Sequence, residues 1–314
     1  MKITVIVCTY NRCEMLPQAL DSLAIQQLPA SVDWDVLVVD NNSTDQTQAV
    51  LERYCEQHHP RFRYTFEPKQ GLSHARNAGI AAASADILAF TDDDVIVDPD
   101  WLRNLTSALQ SGQWAGSGGR IVPVWAEKLP AWLSPEDLAT LGPFAGFDEG
   151  PEPKALMRPP YGGNTAFRRE VLEKYGGFRV DLGRSNNNLQ SREDVELGNR
   201  LFAAGERLRY EPNAVIRCPV AKSRMTKSYL LRWYYWEGRS EIADEGPLED
   251  RWCLMGIPLY LFRRLSRWAL ESTITPSEPR RFFCQRNAWK LTGLIVGCFR
   301  ASKGNRPPAQ GKAE

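Results

Sequence analysis

The sequence predicts an α/β protein with a doubly wound sheet, and three observations carry that reading. Short apolar runs rich in β-branched residues recur through the first hundred positions, stretches of helical periodicity separate them, and the runs stop at polar or acidic residues. The chain enters a strand at once, from Ile3 to Cys8. A helix follows near Glu14 to Gln26, then a strand at Asp35 to Val39 and a helix near Thr44 to Gln57. A short strand near Arg63 to Phe66, a helix from about Ser73 to Ala83 and an apolar run ending at Phe90 complete the series. Such alternation builds a parallel sheet covered on both faces, because parallel neighbours need a crossover between them. From Gly112 to Pro160 the chain is rich in Gly, Pro and Trp with little periodicity, which predicts long loops shaping a pocket.

Composition bounds the function classes. The 314 residues are 43% hydrophobic and 25% charged, the balance of a globular protein with a sizeable core. No basic-then-apolar leader opens the chain, so a cytoplasmic location is expected. Seven cysteines, odd in number and without a C-x-x-C pair, signal neither a disulfide framework nor a zinc ribbon and fit a reducing compartment. Net charge is only +1, but residues 254 to 314 hold 11 Lys and Arg against 3 Asp and Glu. An acidic body with a basic tail that meets an anionic surface follows, and nucleic acid is not the expected partner. The fingerprint G-x-G-x-x-G is missing after the first strand, where Thr9-Tyr10-Asn11-Arg12 stands, so a standard dinucleotide site is not expected either.

The chemistry-bearing residues cluster at strand ends. Ile87-Leu88-Ala89-Phe90 stops at Thr91 and runs into Asp92, Asp93 and Asp94. In open parallel sheets ligands gather beyond the carboxyl ends of the strands. Asp92 and Asp94, one residue apart, can both face a hard divalent cation that also holds phosphate oxygens, whereas a solvated turn needs only one acid. Asp40 ends the second strand in the same way, ahead of Asn41-Asn42-Ser43-Thr44-Asp45. Its carboxylate can accept a hydrogen bond from a base N–H or a ribose hydroxyl, while Ser43 or Thr44 caps the next helix. The segment Gly71 to Ile80 places Arg76 in the first turns of a helix, where its fork suits a diphosphate or, equally, an ion pair.

Taken together, the Thr9 to Arg12 turn, the Asp40 to Asp45 segment, Gly71 to Ile80 and the acid cluster resemble the family 2 glycosyltransferases of GT-A fold. The resemblance continues in Gly162-Gly163-Asn164-Thr165-Ala166-Phe167-Arg168-Arg169, in Gly176-Gly177-Phe178 and in Glu193-Asp194-Val195-Glu196-Leu197 followed by Arg200-Leu201, and covers roughly residues 3 to 240. It implies a Rossmann-like doubly wound mixed sheet forming a catalytic domain over residues 1–222, with a nucleotide-sugar half at about 1–100 and an acceptor half at about 112–222. A basic, aromatic-rich helical extension over 223–314 follows. It further implies that Thr9, Tyr10, Asn11, Arg12, Asp40, Asn42, Arg76, Asp92 and Asp93 hold a nucleoside diphosphate sugar, UDP-linked. Asp94, with Asp92, would bind Mn2+ or Mg2+. Gly162, Gly163 and Asn164 would meet the sugar or acceptor, and Asp194 would act as general base with Glu193 positioning the acceptor or helix. The implied reaction is an inverting transfer to a saccharide or lipid-linked acceptor in surface polysaccharide assembly.

Competing readings remain for several of these residues. Glu193, Asp194 and Glu196 also suit the first turn of a helix, where acids complement the dipole. An aspartyl phosphatase would need Thr or Val where Ile96 stands. A binding module of the same fold without activity is the other alternative, and Cys218 is its best support. It falls where many relatives carry a metal-ligating His, and sulfur is softer than Mn2+ or Mg2+ prefers. Cys218 is therefore read as a buried apolar residue.

Past Pro258, Leu261, Phe262, Leu265, Trp268 and Ala269 fall on one helical face while Arg263, Arg264 and Arg267 fall elsewhere. The run is too charged to span a bilayer. It can lie on an anionic membrane or pack on the catalytic body, and the clustered basic charge favours peripheral contact with the inner face of the cytoplasmic membrane. The last dozen residues read as a frayed tail.

Overall fold

The computed structural model describes residues 1–134, 142–144, 146–185 and 188–303, so the tail from residue 304 onward lies outside the described residues. The chain divides into two compact units. One comprises Met1–Val124, Ala145–Val180 and Glu193–Pro219; the other comprises Trp125–Phe144, Asp181–Arg192 and Val220–Glu314. The second unit thus gathers two stretches from within the first two hundred residues in addition to the C-terminal extension.

In the first unit β1 (Lys2–Thr9), α1 (Leu16–Ala24), β2 (Asp33–Asp40), α2 (Thr47–Gln57), β3 (Phe62–Phe66), α3 (Leu72–Ala82) and β4 (Ile87–Asp92) alternate in order. The short β5 (Ile96–Val97), α4 (Trp101–Thr106), β6 (Gly116–Trp125), β7 (Lys154–Ala155), β8 (Asn164–Arg168), α5 (Arg169–Tyr175), α6 (Glu193–Ala203) and β9 (Leu208–Val220) follow. Among the described residues the strands form one mixed sheet in the order β3-β2-β1-β4-β8-β6-β9-β5, with β7 on β9. β1 is parallel to both β2 and β4, whereas β8 runs antiparallel to β4 and β6.

Strand alternation sorts the side chains into two layers. Ile3, Val5 and Val7 of β1, Val36 and Val38 of β2 and Ile87 and Ala89 of β4 pack with Leu16, Leu20 and Leu23 of α1, Leu51 of α2 and Trp101 of α4. Their neighbours Ile6, Leu37, Val39, Leu88 and Phe90 point the other way, onto Ala75 of α3, Leu172 of α5 and Leu197 and Leu201 of α6. Each fully buried Leu or Ile stabilises the fold by about 2 kcal/mol. Both faces of the central strands β1, β2 and β4 are therefore dry, which leaves their ends as the place for polar chemistry.

The loops expected between Gly112 and Pro160 are interrupted by a ten-residue strand, β6, within the sheet. Its glycines conceal it. A methyl group at Gly116 would lie 2.5 Å from the Phe167 ring, and one at Gly119 would lie 2.2 Å from the Ala214 carbonyl oxygen. Close packing requires the residue type that sequence patterns read as loop.

The second unit is built on α7 (Lys227–Glu245), the hairpin strands β10 (Cys253–Leu254) and β11 (Ile257–Pro258), α8 (Leu259–Ile274) and α9 (Glu278–Ser302). Thr226 caps α7 by accepting from the Tyr229 amide. α7 and α9 meet backbone to backbone, since a Cβ at Gly238 would sit 2.2 Å from the Lys290 carbonyl oxygen. The apolar stripe expected to enter a membrane is turned inward in part. Leu261 is buried, and Leu265 and Trp268 pack with it against Ile242, Leu291, Leu294 and Cys298. Leu261 has too many apolar partners in its own unit to be left for lipid. Among the described residues no helix is long and apolar enough to cross a membrane.

Candidate active site

Three neighbouring strand ends form one side of the site. In register, Thr9 lies opposite Asp40 and Cys8 opposite Asp92, so β2, β1 and β4 deliver Asp40, Thr9 and Asp92 along a single edge. Asn41 holds this edge together. Its amide N–H donates to the Thr9 carbonyl at 2.9 Å, and its side-chain amide donates to the carbonyls of Glu67 (3.1 Å) and Lys69 (2.8 Å). Its side-chain oxygen accepts from the Gly71 amide at 2.7 Å, which fixes the entry to α3. Asn42, the residue expected at the nucleotide, is exposed with φ 66°, a left-handed turn position that Asn tolerates. Neighbouring Asn residues thus divide the work, and only the backbone decides which one turns inward.

The turn after β1 is bonded to the turn after β2. Asn11, at φ 51°, donates its amide to Ser43 Oγ (3.0 Å) and accepts from the Thr44 amide (2.7 Å). Asp40 accepts from the Ser43 amide at 3.0 Å. Asp45 takes bonds from the Thr47 amide at 3.0 Å and the Cys13 amide at 3.2 Å. Burial raises the Asp45 pKa, but hydrogen bonds from Thr47 and Cys13 outweigh it and hold the carboxyl at about 2. Tyr10 is exposed, and the Arg12 guanidinium stands 3.9 Å from Asp94.

The three acids differ in environment. Asp92 is partly open, whereas Asp93 is buried. Burial, reinforced by the charge of Asp94, pushes the Asp93 carboxyl up to about 7. Arg76 is the cation that joins this cluster to the rest of the site. From the first turns of α3 its buried guanidinium reaches Glu193 at 2.8 Å and Asp92 at 3.6 Å, and it lies 5.0 Å from the centre of the Phe178 ring. Burial disfavours its charge, but Glu193 and then Asp92 more than compensate, raising its pKa. Asn77, one residue on, receives the Phe178 amide (2.8 Å) and donates to the Phe178 carbonyl (2.7 Å), so it sets the position of that ring. The adjacency of Asn77 to Arg76 and the Gly-Gly-Phe motif were the only sequence signals for this pairing.

Gly162 and Gly163 lie between the acids and α6. The Gly162 amide donates to Asp194 Oδ2 at 2.7 Å, while the Val195 amide donates to Oδ1 at 2.8 Å. A Cβ at Gly162 would be 2.7 Å from the Arg76 guanidinium, and one at Gly163 would be 2.4 Å from an Asp92 carboxylate oxygen. Asn164 does not join them. It is fully buried, accepts from the Trp101 indole N–H at 2.8 Å, and donates to the carbonyls of Arg120 (3.0 Å) and Ala214 (2.9 Å). Both donors are used inside the protein, so the expected contact with sugar hydroxyls gives way to a scaffold role.

Arg217 pairs with Ile96 in register, so Cys218 is the next residue of β9 toward Asp94. It is half-buried rather than buried, and packs partly against the core. Among the described residues no three His, Cys, Asp or Glu side chains converge as a self-sufficient metal cage. The donors present beside the strand ends are hard carboxylate oxygens, which suit Mn2+ or Mg2+ when phosphate and water complete the shell.

The profile of the family described as glycosyl transferase family 2 matches residues 4–176. The chain belongs to that family. A glucosyl-dolichyl phosphate glucuronosyltransferase of Haloferax volcanii is 27% identical over 247 residues, 77% of this chain and 76% of the relative. The succinoglycan biosynthesis protein ExoM of Rhizobium meliloti is 29% identical over 239 residues, 74% and 72% of the two chains. Among solved structures, the mannosyltransferase PcManGT of Pyrobaculum calidifontis, in complex with GDP-Man and Mn2+, superposes with a TM-score of 0.59 at 20% identity, covering 94% of this chain and 86% of its own. This family 2 glycosyltransferase has the GT-A fold, a central mixed sheet followed by a helical C-terminal region.

Proposed function

We propose that this glycosyltransferase moves a sugar, with inversion, from a UDP-linked donor to a hydroxyl of a saccharide or lipid-linked acceptor during surface polysaccharide assembly. The observation that carries the reading is the Arg76 guanidinium, which draws Asp92 of the strand edge and Glu193 of α6 to one point. Donor-side acids and the candidate base Asp194 thereby share one site. The names of the dolichyl-phosphate and succinoglycan relatives support the acceptor class.

Asp40 and Thr9, buried at the strand edge, would form the floor beneath the ribose and base, and the exposed Tyr10 would lie on the base ring. Asp94, with Asp92, would hold Mn2+ or Mg2+, and such a cation neutralises charge that grows on a departing diphosphate. Asp194 takes the proton from the acceptor hydroxyl. The freed oxygen forms its bond to the anomeric carbon from the face opposite the diphosphate, the carbon–oxygen bond to phosphate breaks, and the nucleoside diphosphate leaves. Two backbone amides, of Gly162 and Val195, each donate to one oxygen of Asp194 and fix the orientation of its carboxylate. Arg76 is buried and committed to two carboxylates, so it orders the site and does not serve as an open diphosphate fork.

The test is calorimetric binding of UDP and GDP with and without Mn2+, followed by nucleotide release with each sugar donor. The expected result is Mn2+-dependent binding that prefers UDP and is lost in Asp94→Ala with the fold retained. Equal Mn2+-dependent affinity in that variant overturns the assignment of Asp94, and a preference for GDP overturns the donor base.

A further inference from the structure

We infer that the β10–β11 hairpin and the outward face of α8 form an amphipathic surface that docks on an anionic lipid bilayer. This deepens the lipid-side part of the proposed function but stands on a surface that catalysis does not use. The surface differs from the one that periodicity indicates. With Leu261 buried and Leu265 and Trp268 packed on the core, the side chains left outside are Leu259, Phe262, Leu270 and Ile274, the last two 63% and 71% exposed. These follow the helical repeat along the face opposite Leu261. The hairpin extends the face, because the Leu259 amide donates to the Trp252 carbonyl at 2.9 Å. Trp252, Leu254 and Met255 are 67%, 58% and 68% exposed, an apolar load that a two-stranded hairpin does not need for its own stability.

Basic groups are interleaved with these side chains. Arg263 and Arg267 share the outward face of α8, Arg264 flanks it, and Arg251 lies 5.7 Å from the Trp252 ring. Glu271 is the sole acid of α8, and Arg280 engages it at 3.0 Å, while Glu249 and Asp250 precede the hairpin. Charge over residues 254 to 314 is +8. A protein partner with an apolar groove would have to strip water from guanidinium groups spaced among the apolar ones. A bilayer interface accommodates both at one depth, with hydrocarbon for Phe262 and Trp252 and lipid phosphates for the arginines. Chemistry thus selects an anionic membrane over a second copy of the chain.

The experiment is flotation of the full chain with vesicles of phosphatidylcholine alone or in equal parts with phosphatidylglycerol. Binding is expected only to the anionic vesicles and is expected to weaken with salt. Each arginine should contribute about fivefold, so the triple variant Arg263→Gln, Arg264→Gln, Arg267→Gln should bind about a hundredfold more weakly. Trp252→Ser with Met255→Ser should lose about tenfold or more while keeping the arginines. Circular dichroism and UDP binding, unchanged in both variants, exclude misfolding and read the catalytic proposal separately. The inference is overturned if wild-type protein ignores anionic vesicles, if both variants float as wild type does, or if light scattering shows a dimer that the hairpin variant abolishes.

Discussion

Arg76 Nη1 lies 2.8 Å from Glu193 Oε1, a buried ion pair between residues 117 positions apart. Removing one partner leaves a charge without water or its main counter-ion. Glu193→Ala should therefore destabilise the protein by about 3 kcal/mol in urea titrations, with Asp92 at 3.6 Å softening the loss. Replacing both, Arg76→Met with Glu193→Leu, should recover most of the stability yet still bind donor poorly. If the double variant binds UDP normally, the pair is only a structural tie.

Asp194→Asn keeps the shape of the side chain and removes proton acceptance. Donor affinity should survive, while transfer falls by roughly 100-fold or more. Single-turnover kinetics at saturating donor would read this directly, and a wild-type rate would return Asp194 to the role of a first-turn acid on α6.

Asn164→Leu tests the scaffold assignment. It leaves the Trp101 N–H and the carbonyls of Arg120 and Ala214 without their partner, at a cost of about 3 kcal/mol. The melting temperature should drop while the acceptor KM holds. A raised KM at unchanged stability would restore the sugar contact.

Asp45 supplies a pH signature. Its folded pKa of about 2 lies below the ordinary 3.8, so its ionised form stabilises the fold fully above 3.8 and that contribution fades as pH falls toward 2. Wild type should exceed Asp45→Asn in urea midpoint at about pH 6, and the gap should narrow by about pH 3. A gap independent of pH would mean that hydrogen-bond shape, not charge, holds the turn.

The parts of the molecule legible in the sequence are those where local pattern and tertiary environment agree. β1, β2 and β4 are dry on both faces, so their apolar runs announce them, and the acids that end β2 and β4 mark the edge. β6 reads as loop because Gly116, Gly118 and Gly119 serve close packing in its first half and Pro123 interrupts the apolar run from Ile121 to Trp125 in its second. Periodicity found a stripe on α8 but could not say which side the core would claim. The identity of Arg76 was visible as a cation near the site, whereas its partner Glu193 is fixed only by the crossing of distant elements. Asn41 and Asn42 are chemically the same, and φ alone separates them.

Gly162 and Gly163 act as a spacer whose thickness is the bare backbone. A Cβ on the first would press on the Arg76 guanidinium and one on the second on an Asp92 carboxylate oxygen, while the Gly162 amide donates to Asp194. Asp92 and Asp194 are thereby gauged against the same two peptide units. A displacement on either side is carried to the other without any intervening side chain to absorb it, so substitutions at Asp92 and Asp194 should couple when combined.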